Sequence, residues 1–336
     1  MNIELRKNLP YYKAIISLSV LTLISGILVA FLGELMLPIA AACYAALLLY
    51  ESRDKSKRLF SLITPVAVIV ANILLGSYIP VIAVEIVLIA LVIFFTFSRG
   101  IQKNEAVFAV TAIVVIMTIV GFIVSPMIAA GSYTWETVTA FYAELYETLK
   151  SAFIDYIENM IKTLSSTAIS YTTEEIALIF DSAVSMLVSV IFIVAFLISG
   201  VTFKLFSYVM YKSSDKPEEV LKWRFTTSSI FAYAAMAVII LAALVRVESD
   251  MLYITLQNLS NIFMAIYAYI GFNFVNAIIS SRWHGRFSFL LLLMIILFFA
   301  NIVIQLLAVV GIFFTINQNK ILKFSGDNNG DDNTKH

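Results

Sequence analysis

Apolar residues run along this chain in blocks of about twenty, with polar residues gathered at the block edges. The stretch from Leu59 to Ser98 shows the pattern, with only Asn72, Tyr78 and Glu85 as strongly polar side chains among forty residues. Gly76 and Pro80 divide it into two helices, each long enough for the roughly 30 Å of hydrocarbon in a bilayer. The same reading along the whole chain predicts nine spans, within a range of eight to ten. They fall at 11–32, 35–50, 59–76, 80–98, 106–129, 183–204, 226–245, 252–280 and 287–316. The last is read as one long tilted helix, since no Gly or Pro marks a turn inside it.

The expected fold is therefore all-α, a polytopic membrane bundle with an outer amphipathic helix. Residues 1–130 form a five-span half, 131–182 an extracytoplasmic helical segment, 183–324 a second membrane half, and 325–336 a polar, disordered tail. In the long connection, Phe141, Leu145, Leu149, Phe153, Ile157, Met160 and Leu164 recur at steps of three and four. That spacing is one face of a helix, and it fits packing on the bundle, seating in the lipid interface, or a lid over an outward cavity. Thr172 and Glu175 then read as a capping box that opens a single helix continuing into the sixth span.

Charge orients the bundle. With the N-terminus inside, inner connections hold fifteen Lys and Arg and outer ones three, which places the protein in the cytoplasmic membrane by the positive-inside rule. One conflict remains: nine spans leave the tail outside, although it carries Lys320, Lys323 and Lys335; either the tail is outside, or the last run is two short segments broken near Asn301, and the single helix is the preferred reading. The composition agrees with a membrane class, since 61% of residues are hydrophobic and 13% charged against about 25% charged in soluble domains. A net charge of zero gives no footing for nucleic acid. The single cysteine, Cys43, lies in an apolar run and reads as a small buried hydrophobe. No metal-ligand, phosphate-loop or nucleophile–histidine pattern occurs, so neither an enzyme nor a cofactor is expected.

The candidate chemistry is a layer of amides and carboxylates toward the outer face. Glu34 sits in the first outer turn and Asn72 one turn below the end of the third span. Glu85 lies about 7 Å down the fourth at 1.5 Å per residue. Span eight adds Gln257, Asn258 and Asn261, and span nine Asn301 and Gln305. Polar groups converging at one depth suit a ligand site, and a carboxylate inside a membrane has function as its default reading. Singly, such amides also serve as interhelical glue. On the inner side, Lys216, Lys222, Trp223 and Arg224 form a basic segment with an aromatic anchor, suited to anionic lipid or a partner.

The order of a five-span half, an outer amphipathic stretch, a long helix and the segment Lys216-Pro-Glu-Glu-Val-Leu-Lys-Trp-Arg-Phe225 resembles the YybS-like family of bacterial membrane proteins, an uncharacterised family. That family is similar in turn to the substrate-binding S-components of energy-coupling-factor transporters. The resemblance implies capture of a small solute near the outer face and docking through small residues of the first span, where Gly26 and Ala30 stand four apart. The expected partners are the lipid bilayer, a small cationic or polar solute, and an energising or regulatory membrane protein. The alternative is a non-transporting scaffold that docks other proteins.

Overall fold

The computed structural model describes residues 9–52, 66, 70, 80–99, 103–163, 171–213, 225–245, 251–282 and 300–328. These form ten helices and one short 3-10 turn, and no strand occurs among the described residues. The helices are α1 Leu9–Leu32, α2 Leu37–Ser52, α3 Pro80–Arg99, α4 Lys103–Ala130 and α5 Trp135–Thr163. They continue with α6 Thr173–Ser185, α7 Leu187–Ser213, α8 Ser229–Leu244, α9 Met251–Arg282 and α10 Ala300–Asn328. Four of them, α3, α4, α7 and α9, are long and apolar enough to cross a membrane. Shorter apolar stretches lie in α1, α2, α8 and α10. Eight of the nine expected spans thus fall at least in part on described helices. The third, 59–76, lies outside the described residues apart from Val66 and Val70.

The chain divides into two compact units, Met1–Leu187 with Val194–Lys222, and Val188–Ile193 with Trp223–His336. In the first, α2 is the central helix, packed against α1 and α3. Its run Ala40–Leu47 is buried throughout, because small side chains let neighbouring backbones approach from more than one direction. Cys43 is part of that buried run. α4 packs on α3, and the body of α7 joins them through the Phe97–Phe206 and Phe108–Phe196 ring pairs and a Thr111–Ser199 hydrogen bond of 3.1 Å. Serine and threonine hydroxyls along these helices mostly bond back to the carbonyl four residues earlier, as Thr22 does to Leu18 and Thr111 to Val107. That satisfies the hydroxyl without a partner helix.

α4 ends in a Schellman turn. Gly131, at φ +62, takes the left-handed conformation, while its N–H and that of Ser132 bond back to Ile128 and Met127. Thr134 then caps α5 by accepting from the Thr137 N–H at 3.3 Å. α5 turns back beside α4, and Pro126 explains where they meet. A proline has no N–H, so the carbonyl four residues before it loses its helical donor. That carbonyl belongs to Phe122, and the Tyr142 hydroxyl of α5 donates to it at 2.8 Å.

α5 is helical as expected, but its apolar stripe divides. Phe153 packs on Phe180 of α6 and Ile157 is half-buried, while Phe141, Leu145, Leu149 and Met160 stay exposed. The arc from Phe141 to Ile157 spans about 160° at 100° per residue, too wide for one neighbour to cover. The α5–α6 contact is held by a polar latch. The Tyr146 hydroxyl and the Lys150 ammonium both bond Asp181, the latter at 2.9 Å, and Thr173 donates to Glu158 at 2.9 Å. The capping box is present, with the Thr172 side chain on the Glu175 N–H and the Glu175 side chain on the Thr172 N–H. The continuous helix expected after it is corrected: the chain breaks at Met186, whose N–H turns back to Ala183 and Val184, and α7 starts afresh at Leu187.

In the second unit, α9 packs on α8 and α10. Gly271 and Gly311 bring the α9 and α10 backbones into direct contact. A Cβ on Gly271 would strike the Leu307 carbonyl, and one on Gly311 the Tyr267 carbonyl. Phe274 stacks on Phe314 at 4.3 Å. The two pairs have the same separation along the chain, so the helices run parallel; in an antiparallel pair Phe274 would have faced Ala308. A single helix over 287–316 returning antiparallel to α9 is therefore corrected. Both helices end on one side, and Lys320 and Lys323 fall on the side where α9 ends in Arg282.

Single cysteines at Ser281 and Ser325, in a Cys43→Ala background, are expected to react with an impermeant thiol reagent from the same side of reconstituted vesicles. Labelling from opposite sides would overturn the parallel pairing. The latch gives a second prediction. The Tyr146 hydroxyl, and then Lys150, hold Asp181 below its ordinary value of 3.8, and Asp181 holds Lys150 above its ordinary 10.5. A lowered acid pKa stabilises above the unfolded value and is lost as pH falls through the folded one; a raised lysine pKa does the converse. The separation of spin labels on Ala152 and Ser182 should stay constant at neutral pH and widen below pH 3.8 and above 10.5. Asp181→Asn should remove the acid step.

Candidate functional site

Between α8, α9 and α10 lies a cavity of about 460 Å³, within the range of small-molecule sites. Ten of its thirteen lining residues are apolar, and Gln257, Ser260 and Gln305 supply the polar groups. Among the described residues no charged side chain lines it. Met236 and Met264 give it an adaptable wall. Ile240, Val309 and Phe313 line the cavity and are also exposed on the outer surface of the helices, so it opens sideways rather than through a helix end.

Two neighbouring amides of α9 finish other helices. The last carbonyls of a helix have no donor of their own. Near the end of α8, the Ala242 carbonyl receives the Gln257 side-chain N–H at 3.0 Å. That fixes the amide and leaves its oxygen as the part able to accept from a guest. Next along the chain, the Asn258 side-chain oxygen accepts from the Ser189 N–H, an orphan donor in the first turn of α7, at 2.9 Å. Its amide nitrogen donates to the Ile254 carbonyl at 3.0 Å. Asn258 is only 8% exposed and serves as a cap delivered from another helix.

The residues expected to form one polar layer are distributed as follows. Glu85 is buried at 2% exposure in α3, the helix that packs on α2 and α4, and belongs to the first unit. Asn258, Asn261 and Gln305 belong to the second, and of these only Gln305 lines the cavity. Asn72 lies outside the described residues, as do Lys216, Lys222, Trp223 and Arg224. Glu34 falls in the 3-10 turn and Asn301 in the first turn of α10, their side chains outside the description. Ser260 was not anticipated. It follows Gln257 by three residues on the same helical face, a spacing visible in the sequence but unremarkable for a serine.

The chain matches no protein-family model, no curated protein and no solved structure. The described residues are helical, with four helices of membrane-crossing length and a laterally open cavity lined by uncharged side chains.

Ser189 is 1% exposed, so losing its acceptor strands a buried N–H, at a cost of about 1–3 kcal/mol. Asn258→Leu should lower the thermal stability of the purified protein by that amount. Gln305→Leu, at an exposed position, should change it by less than about 0.5 kcal/mol. Equal effects would show that Asn258 is not acting as a cap.

Proposed function

We propose that this is a multi-pass membrane protein that binds a small, neutral, lipid-soluble molecule in the cavity between α8, α9 and α10. The observation that carries the reading is the cavity's lining: apolar walls, three uncharged hydrogen-bonding side chains and no compensating charge. A charged ligand would be desolvated there without a counter-ion, which costs several kcal/mol. A molecule with an apolar body and one hydroxyl, carbonyl or amide head loses little. Its body takes the methionine and isoleucine surfaces, and its head meets the Gln305 amide, the Ser260 hydroxyl or the Gln257 oxygen. Entry is sideways from the bilayer, past Val309 and Phe313. In this reading the N-terminus lies on the inner side of the cytoplasmic membrane, and any nucleotide hydrolysis belongs to a partner protein, since the sequence carries no Gly-rich phosphate loop.

A second reading rests on the buried Glu85 carboxylate: a small cationic or polar solute held in the first unit. Titration with a fluorescent fatty alcohol, with the matching fatty acid, and with a small fluorescent cation as the solute of the second reading separates the two. The alcohol should bind the wild type more tightly than the acid. Val309→Trp, which fills the cavity, should weaken it at least about tenfold, or 1.4 kcal/mol, while Glu85→Gln should leave it unchanged. If Glu85→Gln abolishes solute binding and Val309→Trp does not, the second reading replaces the first. If nothing binds either unit, the non-transporting scaffold remains.

A further inference from the structure

Helix α5 carries more apolar surface than its neighbours cover. Tyr146, Lys150 and Phe153 are committed to α6. Phe141, Leu145, Leu149, Tyr156 and Met160 follow one another at steps of four, four, seven and four, and all are exposed. They form an apolar edge about 29 Å long at 1.5 Å per residue. Glu144, Glu147 and Asp155, also exposed, fall on a different side. Among the described residues the helix thus has one side packed on α6, one acidic side, and one apolar edge that meets α4 at Tyr142 and is exposed beyond it.

What borders the apolar edge identifies its occupant. The bond from Tyr142 to the Phe122 carbonyl ties α5 to α4 at a fixed height. Ring contacts then run from Phe122 to Tyr142 at 6.2 Å and on to Phe141 at 5.2 Å. The edge therefore begins where the exposed apolar side of α4, with Ile119 and Phe122, leaves off. The apolar span of α4 is 27 residues, about 40 Å at 1.5 Å per residue, some 10 Å more than the hydrocarbon core. Phe122 stands eight residues, about 12 Å, before the helix ends, so a hydrocarbon core that begins near Glu105 would reach its far edge about one turn beyond it. Tyr133, Trp135 and Tyr156 are exposed in the turn and helix that follow, and amphipathic rings of this kind collect at that boundary.

We propose that α5 lies in the lipid–water interface beside α4, its Phe141–Met160 edge sunk into the headgroup–acyl boundary and its carboxylates in water. Five carboxylates against two lysines along the helix give no attraction to anionic lipid, so apolar and aromatic burial is the driving force.

The test uses full-length Cys43→Ala protein in phosphatidylcholine vesicles. Single cysteines at Leu145, Leu149 and Met160, and at Glu144, Glu147 and Asp155, carry an environment-sensitive fluorophore. Nitroxide on the lipid chains should quench the first three at least about threefold more than the second three, with iodide showing the reverse order. Replacing part of the lipid with phosphatidylglycerol should change nothing. Trp135, left alone by Trp223→Phe and Trp283→Phe, should be quenched by brominated lipid, a readout that leaves the edge unaltered. Iodide reaching all six positions equally would make α5 a water-exposed lid. Quenching that depends on protein density, with cross-links between copies at Leu149, would make the edge a self-association face. Either result overturns the proposal.

Discussion

A helix that breaks or ends leaves backbone groups without a partner of their own, and the structure must find one for each that is shielded from water. Three such points are visible. Pro126 leaves the Phe122 carbonyl without its donor, and Tyr142 supplies one. The end of α8 leaves the Ala242 carbonyl open, and Gln257 fills it. The break at Met186 leaves the Ser189 N–H without an acceptor, and Asn258 provides it. In each case the solution comes from a different helix, so a local defect becomes a link between elements. The fold near these points depends on a few polar side chains as much as on the extent of apolar packing.

The same economy shapes the cavity. Gln257 is held by the end of α8, so its amide is oriented before any guest arrives, while Gln305 is exposed. These two amides suit a ligand whose head group is small and whose body is apolar. The glycine contact between α9 and α10 works differently, since it depends on the absence of side chains. It sets the spacing and direction of the two helices that form most of the cavity wall.

Much of the helical framework was legible in the sequence because apolar blocks and punctuation by Gly, Pro and capping residues have local causes. The capping box at Thr172 and Glu175 is the clearest instance, a four-residue pattern whose partners are its own members. The break at Met186 was not legible, since no Gly or Pro marks it and its stabilising cap arrives from Asn258. The parallel course of α10 was hidden for a related reason: hydropathy gives a segment's length, not its direction. The wide stripe of α5 read as one face because periodicity does not say how many neighbours share it. As for the site, Gln305 was anticipated from its place in an apolar helix. Glu85 and Asn258, expected in one layer, fall in different units, a division that depth along the sequence does not reveal.

The caps also differ in when they can form as the chain is made from its N-terminus. Thr172 and Glu175 close their turn within three residues, and Tyr142 reaches the Phe122 carbonyl twenty residues later. The Ser189 N–H waits for an acceptor 69 residues downstream. During synthesis, the start of α7 therefore remains an unfinished helix end until α9 emerges. The order of biosynthesis is written into the order of these caps, and the junction at Met186 is the last of them to mature.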